Sequence, residues 1–111
     1  MMELNQTVRN RAFGVIFIFF WGCASAVPRV NPAQLDQAIR IDPRVMREFP
    51  ALGREIYLNK CGGCHSLIPP RQLSIARWRE VLPVMADRAK MTADETEKVG
   101  QYLFTVLLPD K

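Results

Sequence analysis

The chain has 111 residues, of which 49% are hydrophobic and 23% charged, and it shows no repeat and no low-complexity tract. That profile describes one small folded domain and excludes a disordered chain or a multidomain assembly. Fifteen Lys and Arg are scattered among eleven Asp and Glu, for a net charge of +4; without a basic block nucleic acid is a poor partner, and an acidic protein or a membrane surface suits the charge better.

Residues 1–26, MMELNQTVRNRAFGVIFIFFWGCASA, have the organisation of an export signal. Arg9 and Arg11 supply a positive start, Ala12 to Trp21 an apolar run of ten, and Ala24-Ser25-Ala26 a small-x-small cleavage site. A spanning helix needs about 20 apolar residues, so an uncleaved anchor fits less well. Cys23 behind Gly22 also resembles the lipid-acceptor cysteine of a bacterial lipoprotein, although Phe20 and Trp21 fit that pattern poorly. Two fates therefore stand open, cleavage after Ala26 or acylation at Cys23, and both leave Cys61 and Cys64 as the free cysteines of an exported chain. A core that loses this leader is barely self-sufficient, which predicts help from something other than polypeptide.

Residues 27–49 form a Pro-rich arm, extended for the most part, with a short helix over Gln34 to Ile41. From Pro50 the main domain, 50–111, begins. Pro50 suits a first helical turn, Leu52, Ile56 and Tyr57 line one face, and this helix runs into Cys61. Ser74 caps a second helix reaching about Lys90, with Trp78, Leu82 and Met85 on one face and a kink or break expected at Pro83. In the third, Thr92-Ala-Asp-Glu95 is a capping box, Asp94, Glu95 and Glu97 suit the positive end of the dipole, Val99, Leu103, Val106 and Leu107 make the apolar stripe, and Pro109 ends it. No period-2 run bounded by hairpin turns appears, so the fold class is all-α.

The chemistry concentrates in Cys61-Gly-Gly-Cys64-His65, which holds the only histidine of the chain. Two cysteines at this spacing serve a redox disulfide, half of a zinc site, or, with His in the next place, covalent attachment of haem. A redox disulfide wants a strand before it and a βαβ setting. A closed zinc site wants four good ligands, and no other Cys or His follows. Haem uses every residue: two thioether bonds from Cys61 and Cys64, the His65 imidazole on the iron, and Gly62 and Gly63 letting the backbone pass the porphyrin edge. It also agrees with export, and a buried haem supplies apolar mass to a short core.

The Cys61-x-x-Cys64-His65 element after a helix, a later methionine, and a last helix containing Tyr102-Leu103 resemble the small class I c-type cytochromes, over roughly Pro50 to Leu108. The resemblance implies a fold of about three main helices around one covalently bound haem c. It implies a close crossing of the first and last of those helices, with Gly53 against Tyr102 as the matching pair.

One histidine excludes bis-histidine ligation within the chain and a second haem on the same motif. Met46, Met85, Met91, a lysine or an open position remain for the sixth place. The resemblance puts the axial methionine after the motif, near a proline and well before the last aromatic-Leu pair. Met85 matches, seventeen residues before Tyr102 and just after Pro83, and Met91, eleven before it, comes second. It further implies a proline carbonyl accepting the proximal imidazole N–H, at Pro69 or with slight preference Pro70, and haem propionates held by Trp78 Nε1, Arg71 or Arg77. The stretch between motif and methionine is short for that family, which puts these propionate roles most in doubt.

A His/Met haem leaves little room for substrate and suits single electrons. The expectation is a mono-haem electron carrier of the bacterial periplasm, soluble or lipid-anchored through Cys23, and not an enzyme. Lys60, Arg71, Arg77, Arg79, Arg88 and Lys90 would then meet acidic surfaces on a donor and an acceptor protein. Two rivals remain. One is a tightly bound cytochrome subunit of a periplasmic oxidoreductase, its arm wrapped on the partner. The other is a five-coordinate haem protein for a gas or peroxide, which lacks a distal histidine to move protons.

Overall fold

A computed structural model describes residues 27–62 and 67–109. Among these, all regular structure is helical, as expected from the sequence: α1 (Pro32–Ile41), α2 (Phe49–Ile56) continuing as a π-helical turn (Tyr57–Cys61), a 3-10 turn (Pro70–Gln72), α3 (Ile75–Arg88) and α4 (Ala93–Val106). The export segment with Cys23, and Cys64 and His65 of the motif, lie outside the described residues.

Local chemistry sets the boundaries. Helix α1 starts two residues before the expected Gln34, because the Asn31 side chain accepts the Ala33 N–H at 2.8 Å and Pro32 occupies the first turn, where its missing N–H is not needed. Ser74 caps α3 by accepting the Arg77 N–H at 3.1 Å. The capping box of α4 is complete, with Thr92 and Glu95 each accepting the other's backbone N–H at 3.1 and 3.0 Å. That helix ends at Val106, with Leu107 as its cap, two residues short of Pro109.

Of the kink or break expected at Pro83, the break does not occur, since α3 runs unbroken from Ile75 to Arg88. Pro83 and Arg79, the residue whose carbonyl loses its helical partner, both stand on the exposed side of the helix. A carbonyl without a helical partner costs less at an exposed position, where it is open to solvent, than in a core.

The C-terminus of α3 closes in a Schellman arrangement. Met91 N–H reaches the Ala86 carbonyl at 2.9 Å, Lys90 N–H reaches Asp87 at 3.2 Å, and Lys90 takes φ 54°. A lysine therefore occupies the left-handed position that glycine usually fills.

The core joins Val27, Tyr57, Trp78, Val99, Tyr102, Leu103 and Val106. Its tightest point is the crossing of α2 over α4. A Cβ on Gly53 would lie 2.0 Å from the Lys98 carbonyl oxygen and 2.9 Å from Tyr102 Cβ. The expected Gly53–Tyr102 pair is thus in place, and only glycine allows this approach. The same contact rotates α2 so that Pro50, Gly53 and Tyr57 face inward while Leu52, expected on the apolar face, stays 42% exposed.

The arm lies against these helices. Tyr102 Oη donates to the Pro28 carbonyl at 2.6 Å, Arg54 donates to the Val27 and Pro28 carbonyls, and buried Gln34 donates from Nε2 to the Leu108 carbonyl at 2.8 Å. Further along, Gln101 Oε1 accepts the Met46 N–H at 2.9 Å. Sequence periodicity carries no trace of these contacts, since each joins a side chain to the backbone of a distant segment.

Candidate haem-attachment site

Cys61 ends the π turn that prolongs α2, half-buried and packed on the core cluster. Burial pushes its thiol up from the ordinary value, so it stays a protonated thiol, less reactive than a solvated thiolate. The residue before it fixes the turn. Lys60 Nζ sits 3.1 Å from the Glu95 carboxylate, linking the π turn to the first turn of α4. Glu95 is held below the usual carboxylate range, first by the Thr92 backbone N–H and then by Lys60.

Four residues before Cys61, the Tyr57 ring packs edge-on to Trp78, with centroids 6.1 Å apart, and tilted against Tyr102 at 6.0 Å. The three rings form the centre of the core, and each polar tip donates to a backbone carbonyl. Tyr57 Oη donates to Ile68, Trp78 Nε1 to Pro70 at 2.8 Å and Tyr102 Oη to Pro28. Desolvation raises both phenols, Tyr57 far above its ordinary value and Tyr102 to about 12, so both are neutral donors at physiological pH.

Around Cys61 the apolar side chains are partly buried. Leu67, Ile68, Leu73, Met85 and Met91 all pack on the same cluster as the cysteine. The structure thus places Cys61 and Met85 in one cluster, together with the second-choice Met91. Met46 stands apart on the arm, 48% exposed. Pro70 and Trp78 are brought together by the bond between them. An indole has a single donor, and here it is directed at Pro70, whose carbonyl keeps a second lone pair. Arg77 is exposed and paired with Glu80 at 2.7 Å, and Arg71 is exposed.

These residues fit a covalently attached haem. A half-buried thiol, two thioether side chains and a set of half-buried aliphatic groups on one cluster would offer it an attachment point, soft donors and an apolar wall. A separate cleft of about 340 Å³ lies between α3, α4 and the 42–45 turn; Trp78, Leu82 and Leu103 line its inner side, and Cys61, Met85 and Met91 do not line it. Sequence reasoning did not find the Tyr57–Ile68 bond or the Lys60–Glu95 pair. The position of Tyr57, one helical turn before Cys61, is the only hint the sequence holds of either.

Residues 57–107 match the family model of the dihaem cytochromes c. This span, a little under half of the chain, runs from Tyr57 to the C-cap of α4. No curated protein and no solved structure matches. The match supports a c-type cytochrome, a protein that binds haem c and transfers electrons. It names the dihaem family, where the sequence resemblance had pointed to small mono-haem class I cytochromes. The chain itself carries one Cys-x-x-Cys-His motif.

Proposed function

We propose that this protein carries single electrons on one haem c, attached through Cys61 and Cys64 and ligated by His65 and Met85. When bound, the haem supplies an iron that cycles between ferrous and ferric states. Cys61, at the end of the π turn, fixes one porphyrin edge to the helix that crosses α4. Leu67, Ile68 and Leu73, half-buried on the same cluster, would give a bound haem an apolar setting that keeps water away and favours a higher reduction potential. Met85 supplies a thioether from the same α3 face as Trp78 and Leu82. The observation that carries this reading is that Cys61, within a Cys-x-x-Cys-His motif, packs on the same apolar cluster as half-buried Met85.

The protein acts in the bacterial periplasm, after export, either free or held at the membrane by acyl groups on Cys23. No helix among the described residues is long and apolar enough to cross a membrane. Arg71, Arg79, Arg88 and Lys90 are exposed and suit transient docking to acidic faces of a donor and an acceptor, while Lys60 is engaged by Glu95 and Arg77 by Glu80. The start of the arm is less suited to wrapping a partner as a subunit would, because the Val27 and Pro28 carbonyls already accept from Tyr102 and Arg54.

Intact mass and optical spectra test the proposal. The mature protein should carry the mass of one haem, give a low-spin spectrum with the weak sulfur-to-iron band, and ignore carbon monoxide. Met85→Ala should lose that band and admit carbon monoxide, whereas Met91→Ala should keep it. A wild-type ferrous form that takes carbon monoxide at once would favour the gas- or peroxide-reactive reading, and a mass of two haems would refute the mono-haem one.

A further inference from the structure

The cleft between α3, α4 and the 42–45 turn has a chemistry that the electron-transfer reading does not use. Its volume, about 340 Å³, falls in the range of small-molecule sites. Trp78, Leu82, Leu103 and Phe104 make its interior apolar, and because Trp78 Nε1 donates to the Pro70 carbonyl the indole adds no free donor there. The turn that forms one wall is tied to α4 by both ends of the Gln101 amide: Oε1 accepts the Met46 N–H at 2.9 Å and Nε2 donates to the Arg44 carbonyl at 3.4 Å.

The charges of the cleft are unevenly matched. Asp42 and Arg44 come from the turn, Arg79 from α3 and Glu97 from α4. Asp42 holds Arg44 through two hydrogen bonds of 3.0 Å. Arg44 stands above its ordinary value, chiefly through those bonds, with a last and smaller part from the charge of Glu97. One guanidinium thus serves two carboxylates, and that side of the cleft keeps an excess of negative charge. Arg79 is exposed and, among the described residues, pairs with no carboxylate, Glu97 included. Opposite charges therefore stand on neighbouring helices without neutralising each other.

Gly100 is a second, independent observation. It lines the cleft, and a Cβ there would meet only Leu82 Cδ2, at 3.7 Å. Unlike Gly53, it is not required by any close approach, although alanine would be the better helix former. A longer side chain at this position would enter the cleft.

We propose that this cleft binds a small zwitterion with an apolar body, an apolar amino acid, its carboxylate at Arg79, its ammonium at Glu97 and its side chain against Trp78 and Phe104. A guanidinium suits a carboxylate through paired N–H donors. An anion alone would meet Arg79 but also the negative excess on the side of Asp42 and Glu97, and a cation alone would meet the reverse, so a molecule carrying both charges is the complementary one. Cys61, Met85 and Met91 do not line the cleft, and the inference does not rest on the haem reading.

Amide NMR on the reduced, haem-loaded full chain tests this with four probes: L-phenylalanine, 3-phenylpropionate without the ammonium, 2-phenylethylamine without the carboxylate, and glycine without the ring. Phenylalanine should shift the amides of Val45, Leu82, Gly100 and Phe104 and leave those of α1 in place. Each of the other three should bind at least about fivefold more weakly, the order of one solvent-facing charge pair for the two singly charged probes. Arg79→Gln should lower phenylalanine to the level of 2-phenylethylamine, and Glu97→Gln to that of 3-phenylpropionate; both side chains are exposed, so neither change disturbs the core. Gly100→Leu should abolish binding of every probe while the mass of the haem is retained. Equal binding of phenylalanine and its two singly charged analogues would overturn the proposal, leaving an apolar cleft without charge selection. So would the absence of any shift in the wild type, as when haem itself fills this space, or undiminished phenylalanine binding in Gly100→Leu.

Discussion

Where α2 crosses α4, Gly53 meets the Lys98 carbonyl with no room for a methyl group, whereas around Cys61 the aliphatic and methionine side chains remain half-buried. The first region is completed by polypeptide alone. In the second, side chains of core character are only partly covered by other side chains, as expected of a wall built to meet a large apolar group. Gly53 and Cys61 lie on one helical stretch, Phe49–Cys61, so a short chain keeps its tightest packing and its half-buried thiol about two turns apart.

The sharpest way to break this comparison is at the crossing. In Gly53→Ala the new Cβ would meet Lys98 backbone at 2.0 and 2.5 Å. Backbone cannot rotate aside as a side-chain tip does, so the helices must part, at a cost of about 3 kcal/mol or more. Denaturant unfolding of the haem-loaded protein should show a large loss or no folded product. Gly100→Ala is the matched control on α4. Its Cβ would approach only Leu82 Cδ2, at 3.7 Å, an ordinary contact, and the better helix former should gain up to ~1 kcal/mol. Equal effects from the two substitutions would mean that the crossing is no tighter than the rest of the core.

A smaller effect sharpens the haem side. Met85 and Met91 are joined by the Schellman turn in which Lys90 holds φ 54°. Lys90→Gly should remove the left-handed penalty and raise stability by about 0.5–1 kcal/mol, net of the greater freedom of glycine in the unfolded chain. Thermal unfolding checks the sign. A loss would show that the lysine side chain itself contributes to the wall.

How much of this was legible in advance follows from which interactions leave a local pattern. The capping box at Thr92, the Ser74 cap and the stop near Pro109 are short-range and were read from a few adjacent letters. Gly53 opposite Tyr102 was legible only through resemblance, since a glycine in a helix says nothing by itself about what approaches it. Pro83 left kink and break both open, because a rule about interior proline omits whether the helix around it is exposed, and the helix continues through it. The longest-range features were silent: Gln34 on the Leu108 carbonyl, Tyr102 on Pro28 and Tyr57 on Ile68 pair a side chain with a generic backbone acceptor, and a carbonyl has no signature in sequence. For the site, Cys61, Cys64 and His65 suggest haem attachment because three residue types at fixed spacing serve one chemistry, while Cys64 and His65 lie outside the described residues. Met85 stands ahead of Met91 only through the resemblance, and the structure packs both on the same cluster.

The smallest expected effect concerns the tie between the two regions, the Lys60–Glu95 pair that joins the residue before Cys61 to the cap of α4. Glu95 is held below its usual value when folded, by the Thr92 N–H and then by Lys60, so the folded state binds this proton less readily than the unfolded chain does. Its contribution is therefore full above the unfolded carboxylate value, about 4.3, and is lost as pH falls through the lower folded value. Glu95→Gln keeps an oxygen for the Thr92 N–H and so keeps the capping box, but it removes the charge. Midpoints of thermal unfolding followed between about pH 3 and 7 should show a shallower acid limb in the variant, with the difference shrinking in high salt because the pair is partly solvated. If the limb is unchanged, neither the Thr92 N–H nor Lys60 holds Glu95 down in the folded protein, and the tie contributes nothing to the acid limb.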